Sequence, residues 1–158
     1  MAKTKAHTAY KLKDGTRVKG VTTILNNLGW NKNVLVAWAR RTALAGDDPD
    51  AVLKEAGAIG TLAHYLCECD IKGVKADTED YSAEQIEKAE NAFLGYLEWK
   101  KMTKPKYEAI ELKMVSEKYK VGGTADFIAR INGSLVLGDF KTSKGIYPEM
   151  TCQLAAYR

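Results

Sequence analysis

Apolar positions in the first two thirds of the chain recur at helical spacing, and beyond Pro105 the period falls to two. Residues 34–45 keep a helical pattern that stops at Gly46. Residues 50–72 read as a longer helix, weakened at Gly57 and Gly60. Gly73 closes it, glycine being the residue that most easily takes the left-handed conformation of a C-terminal cap. Ser82 opens another helix. With Gln85 three positions on it matches a capping box, and Ile86, Ala89, Phe93 and Leu97 follow on one face. Upstream, residues 11–19 predict a short hairpin around Asp14-Gly15, and residues 21–28 begin apolar and β-branched before turning helical.

After Pro105, Ile110, Leu112 and Met114 alternate with Glu111 and Lys113, the signature of a strand with one polar face. A second strand is predicted over residues 121–131 and a third over 134–141. Residues 147–158 return to helix, with Pro148 in the first turn. Helices, three consecutive strands and a closing helix predict an α/β (α+β) domain around a largely antiparallel meander. The chain contains 3 prolines, with no repeat and no linker-like stretch, so residues 1–158 are expected to form a single domain.

Composition narrows the class. At 46% hydrophobic and 28% charged residues, the chain is too apolar for intrinsic disorder. No apolar run approaches the roughly 20 residues of a membrane-spanning helix, and no secretory signal follows the basic N-terminus. Cytoplasmic residence is the expectation. The net charge of +4 is mild, but its distribution is uneven. Lys3, Lys5, Lys11, Lys13, Arg17 and Lys19 crowd the N-terminal segment, Arg40-Arg41 follows, and acid gathers at 47–50 and 77–90. That asymmetry suits a surface tracking phosphates, and equally a solvated one. The 3 cysteines, Cys67, Cys69 and Cys152, form no disulfide or zinc spacing and read as reduced thiols.

Asn132-Gly133 is the strongest short-range hairpin signal in the chain. A two-residue turn there sets Ile131 opposite Ser134 and Ile128 opposite Leu137. Continued without a bulge, the register brings Asp126 opposite Asp139, with Lys141 on the same face. Like charges directly opposite destabilise a sheet unless one is protonated or a cation lies between them. A hard divalent ion with oxygen ligands resolves the conflict. The plainer alternative is a solvent-facing pair neutralised by Lys141 and Arg130. Glu111 joins the same face if the turn around Glu117-Lys118 has an even number of residues.

These residues also resemble a known family. Gly123-Thr124-Ala125-Asp126, then Gly138-Asp139-Phe140-Lys141-Thr142, then Gln153 and Tyr157 are similar to the C-terminal motifs of RecB-like nucleases. These belong to the PD-(D/E)XK superfamily, in the branch with phage-type exonucleases. Gly60-Thr61-Leu62-Ala63-His64 resembles the family's helical Gly-Thr-x-x-His motif, and Val21-Thr22-Thr23-Ile24-Leu25, with Trp38 downstream, its N-terminal segment. The likeness runs over about residues 16–158. It departs from the family at Val18-Lys19-Gly20, where relatives often carry Pro-Ser. It also departs at Arg158, where the chain stops inside a helix and a C-terminal truncation is expected.

The resemblance implies a restriction-endonuclease-like core, with a central mixed, largely antiparallel meander sheet flanked by helices. It implies Mg²⁺ or Mn²⁺ held by His64, Asp126, Asp139 and the backbone carbonyl of Phe140, with Glu111 as a further candidate. Asp126, Asp139 and Lys141 would be catalytic, Lys141 orienting or deprotonating the attacking water. Gln153 and Tyr157 would contact the DNA backbone or brace the site, and Arg40 and Arg41 would meet phosphates. The cysteines do not match the iron–sulfur branch, so no cluster is expected. The implied activity is DNA cleavage by an exonuclease in recombination or repair, in a bacterial or phage-infected cell. DNA would be held through its phosphates, and a recombination protein would be a further partner. An endonuclease of the same superfamily and a non-catalytic DNA-binding module are the alternatives.

Overall fold

A computed structural model describes residues 9–158. The basic residues Lys3 and Lys5 lie outside them. The described chain contains five helices and one mixed five-stranded sheet, a mixed α/β architecture. By its internal contacts it divides into two compact units. One joins the N-terminal segment up to Leu28 with Leu97–Arg158, and the other is Gly29–Tyr96.

The second unit is helical. Its α2 (Lys32–Leu44) carries no buried residue. In α3 (Pro49–Lys72), the Asp48 side chain caps the start by accepting the Asp50 N–H at 3.0 Å. Gly73, at φ 67°, closes the end in the left-handed conformation. The capping box ahead of α4 (Ala83–Thr103) is formed in both directions. Ser82 N–H donates to Gln85 Oε1 at 3.0 Å, and Gln85 N–H donates to Ser82 Oγ at 3.2 Å. Leu62, Ala63 and Ala89 are its buried centre, with Ile59, Leu66 and Ile86 packed around them.

The first unit holds the sheet. Strand β1 (Tyr10–Lys11) pairs antiparallel with β2 (Arg17–Gly20) around Gly15, as the Asp14-Gly15 signal predicts. Residues 21–28 are helical from their first residue, as α1 (Val21–Leu28), without the extended start that the β-branched residues suggest. Val21 is buried there, and tertiary packing outweighs its weak strand preference. β3 (Lys106–Ser116) and β4 (Val121–Ile131) form a long antiparallel pair, and β4 continues through a tight turn into β5 (Ser134–Gly138). β2 joins β4 in parallel, Lys19 against Val121, so the meander is completed by one parallel pairing. α5 (Pro148–Tyr157) closes the chain, with Pro148 in its first turn.

Phe127 on β4 anchors this unit. Its ring is buried against Trp99, Tyr107 and Phe140, with centroids 5.6, 5.5 and 5.1 Å away. Glycines give aromatic rings their approach to the sheet. A methyl group on Gly122 would strike the Tyr10 ring, one on Gly123 the Tyr157 ring, and one on Gly138 the Phe127 ring. Among the described residues no helix is long and apolar enough to cross a membrane.

Candidate functional site

The site grows from the turn between β4 and β5. Asn132 and Gly133 sit at φ 51° and 82°, the pair of positive values that a type I′ turn demands. From there the ladder runs Ile131↔Ser134, Arg130↔Leu135, Ala129↔Val136, Ile128↔Leu137 and Phe127↔Gly138. The register is the one that Asn-Gly predicts, as far as its last pair, Phe127↔Gly138.

The ladder itself stops one step short of the acids. The sequence predicts a third strand over 134–141, whereas β5 ends at Gly138, so Asp139 and Lys141 leave the sheet. The cause is Asp126. Its carboxylate Oδ2 accepts the main-chain N–H of Phe140, replacing the strand-to-strand bond with a side-chain one. Asp126 is thereby held against the segment that carries Asp139.

Asp139 is then gripped from two sides. Lys141 Nζ donates to its Oδ2 as an ion pair. Gln153, buried on α5, donates from Nε2 to Asp139 Oδ1 at 2.9 Å, and the same amide donates to the Tyr157 hydroxyl at 3.1 Å. Gln153 and Tyr157 are four residues apart on α5 and share a face. Together they brace the acid from behind. The Tyr157 ring lies against Gly123, so α5 is seated on the stretch of β4 that leads to Asp126. Asp139 has 7% of its side chain exposed against 34% for Lys141, so the carboxylate is enclosed while the cation reaches solvent.

Tyr10 belongs to this neighbourhood, and its sequence context gives no hint of it. Its hydroxyl is 3.0 Å from Thr124 Oγ1, two residues before Asp126, and its ring lies against Gly122. Only the parallel β2–β4 pairing brings β1 there, and non-local pairing leaves no local signature.

Glu111 meets the parity condition that the sequence sets. Residues 117–120 connect the paired Ser116 and Val121, and Glu111 falls between Ile110↔Phe127 and Leu112↔Ala125, across from Asp126. Its backbone is in the left-handed region at φ 51°, which interrupts the pleat, and the residue is exposed. Such a conformation costs a non-glycine residue about 1 kcal/mol or more. With the bulge between Tyr107 and Ala109 it also disrupts the outer edge of β3, a known protection against edge-to-edge pairing.

The other candidate residues lie in the helical unit. His64 is half-buried on α3, and Arg40 and Arg41 are exposed on α2. Cys67 and Cys69 are buried on α3, and Cys152 is half-buried on α5.

Among the described residues no cluster of three or more His, Cys, Asp or Glu side chains is gathered tightly enough to hold an ion by itself. The donor set of Asp126, Asp139 and the main chain at Phe140 is hard and oxygen-based. It suits Mg²⁺ or Mn²⁺, which accept one or two carboxylates and complete their shell with water and substrate phosphate. It does not suit an ion that requires a full cage of protein ligands.

Burial pushes the Tyr157 phenol above its ordinary pKa. The charges of Asp139, Tyr10 and Asp126 add to the rise, and the Gln153 amide opposes it. Folding therefore raises this pKa. The associated stability is fully present below the unfolded value of about 10 and is lost as pH climbs through the folded one. Alkaline titration of phenolate absorbance, taken as the difference between the parent and Tyr157→Phe, is expected to isolate a phenol ionising above the ordinary value. A difference curve at or below that value would remove Tyr157 from the buried network.

No protein family, curated protein or solved structure matches the chain.

Proposed function

We propose that this protein is a metal-dependent DNA nuclease that hydrolyses phosphodiester bonds, acting from strand ends. One observation carries the reading. Asp126 on β4 accepts the main-chain N–H of Phe140, and the neighbouring Asp139 is held by Lys141, two residues on, and by the buried Gln153.

Asp126, Asp139 and the main-chain carbonyl of Phe140 would hold Mg²⁺ or Mn²⁺. The ion, when bound, polarises the scissile phosphate and eases ionisation of a water. The chain's own residues supply the rest. Lys141 can turn from Asp139 to the phosphate, offset its charge and orient the attacking water. Gln153 fixes the Asp139 carboxylate, and Tyr157 fixes Gln153. The exposed Arg40 and Arg41 would meet phosphates without reading bases.

The test is a time course on linear and covalently closed circular DNA with Mn²⁺ or Mg²⁺, and with chelator as control. Linear DNA is expected to be degraded progressively, circular DNA to survive, and chelator to stop the reaction. Cleavage of the circle would assign endonuclease action to the same site. No metal-dependent cleavage of either substrate would overturn the nuclease reading in favour of a DNA-binding module.

A further inference from the structure

The segment after Lys141 builds a cleft of about 300 Å³ beside Asp139. Lys141, Ser143 and Lys144 give it a polar, cationic side next to Asp139, while Ile146, Met150 and Leu154 give it an apolar side. Ser143 ties the loop down. Its hydroxyl donates to Gly145 O at 2.8 Å and lies 3.9 Å from the Met150 sulfur, so the loop is held to the start of α5. Beyond Lys144 the chain presents Ile146 88% exposed and Tyr147 47% exposed, an unusual display of apolar surface beside two lysines.

We propose that this cleft receives one unpaired nucleotide of a single-stranded DNA segment. The phosphate lies against Lys141 and Lys144, and the base lies over Ile146 and Met150. The proposal rests on the nuclease reading and adds a strand preference to it.

The volume sits at the small end of ligand sites, which run from about 300 to 1,000 Å³. That is room for one nucleotide-sized group. A base inside a duplex is stacked on both faces and hydrogen-bonded along its edge, so it enters such a cleft only after leaving the helix. An unpaired base has no such cost, and the apolar side replaces the stacking it lacks. The two lysines match the one group that every nucleotide carries, so the site is indifferent to base identity. Because Lys141 lines the cleft and also bonds Asp139, a phosphate seated there is adjacent to Asp139.

The experiment measures anisotropy of a short labelled oligo-dT and a blunt-ended duplex of equal length, with chelator present to block hydrolysis. The parent chain is expected to bind oligo-dT about tenfold more tightly, within the range for one stacked base. Lys144→Ala and Ile146→Asp, both at exposed positions, are expected to erase most of that difference while duplex binding changes little. Lys144→Ala should also reduce the salt slope for oligo-dT by about 0.7, one phosphate contact. Equal affinity of the parent for both probes, or equal losses on both probes in the variants, overturns the proposal. A parallel reaction with Mn²⁺ separates the two ideas. Hydrolysis without strand preference removes the cleft and leaves the nuclease standing. Selective oligo-dT binding without hydrolysis by the parent supports the cleft and removes the nuclease reading.

Discussion

Lys141→Ala is expected to slow Mn²⁺-supported DNA cleavage by about 10²-fold or more, the usual loss for a positioned acid–base or electrostatic group. Metal affinity should survive or rise. In the protein as folded, Lys141 is the ion-pair partner of Asp139, so an entering cation competes with the ammonium for the same carboxylate. Removing the lysine removes the competitor. Asp139→Asn should behave differently. It keeps an oxygen for the Gln153 amide and so keeps the brace, yet it discards the charge that holds an ion. Cleavage and metal binding should then vanish together. Calorimetric titration with Mn²⁺, beside single-turnover cleavage, reads both quantities for each variant. A Lys141→Ala protein cleaving at the parental rate would reduce the lysine to a neutralising neighbour of the acids, and the proposed chemistry would lose its central residue.

Gly138→Val is expected to destabilise the first unit by about 3 kcal/mol, the upper part of the range for forced overpacking. In a chain of this size that corresponds to a fall in melting temperature of about 10 °C. A branched side chain at this position meets the Phe127 ring directly. That ring has no room to retreat, because Trp99, Tyr107 and Phe140 enclose it. Gly57→Ala is the contrasting case. Nothing lies within 4 Å of the added methyl group, and the position is inside α3. That change is expected to stabilise the helical unit by about 0.5–1 kcal/mol. Thermal melts followed by circular dichroism compare the two. Equal melting curves for Gly138→Val and the parent would mean that the Phe127 packing is looser than its contacts imply.

The β4–β5 hairpin was legible because Asn132-Gly133 fixes a register, and that register holds by parity as far as Phe127 and Gly138. The capping box at Ser82 and the stop at Gly73 were legible for the same kind of reason, since a few neighbouring residues carry the whole signal. The end of β5 was not. Asp139-Phe140-Lys141 continues an alternating pattern, and only the capture of the Phe140 N–H by a side chain on another strand ends the ladder. The place of Tyr10 was hidden because parallel pairing of β2 with β4 joins segments far apart in the chain. The division at Tyr96 was hidden too, since α4 runs through it as one continuous helix with no break in composition. The left-handed Glu111 has no glycine or asparagine to announce it.

The β4–β5 turn also orders events in time. Phe140 and Asp126 are only 14 residues apart, so the hairpin closes a small loop, and hairpins of this kind form in about 1–10 μs. Tyr10 must arrive from the far end of the chain, and Gln153 only once α5 is in place. The segment that carries Asp139 and Lys141 is therefore brought to Asp126 early. In the finished protein Asp126 is bonded to the Phe140 amide and Asp139 to Lys141 and Gln153. Closure in this part of the protein therefore follows separation along the chain, the hairpin first and the contacts of Tyr10 and Gln153 after it.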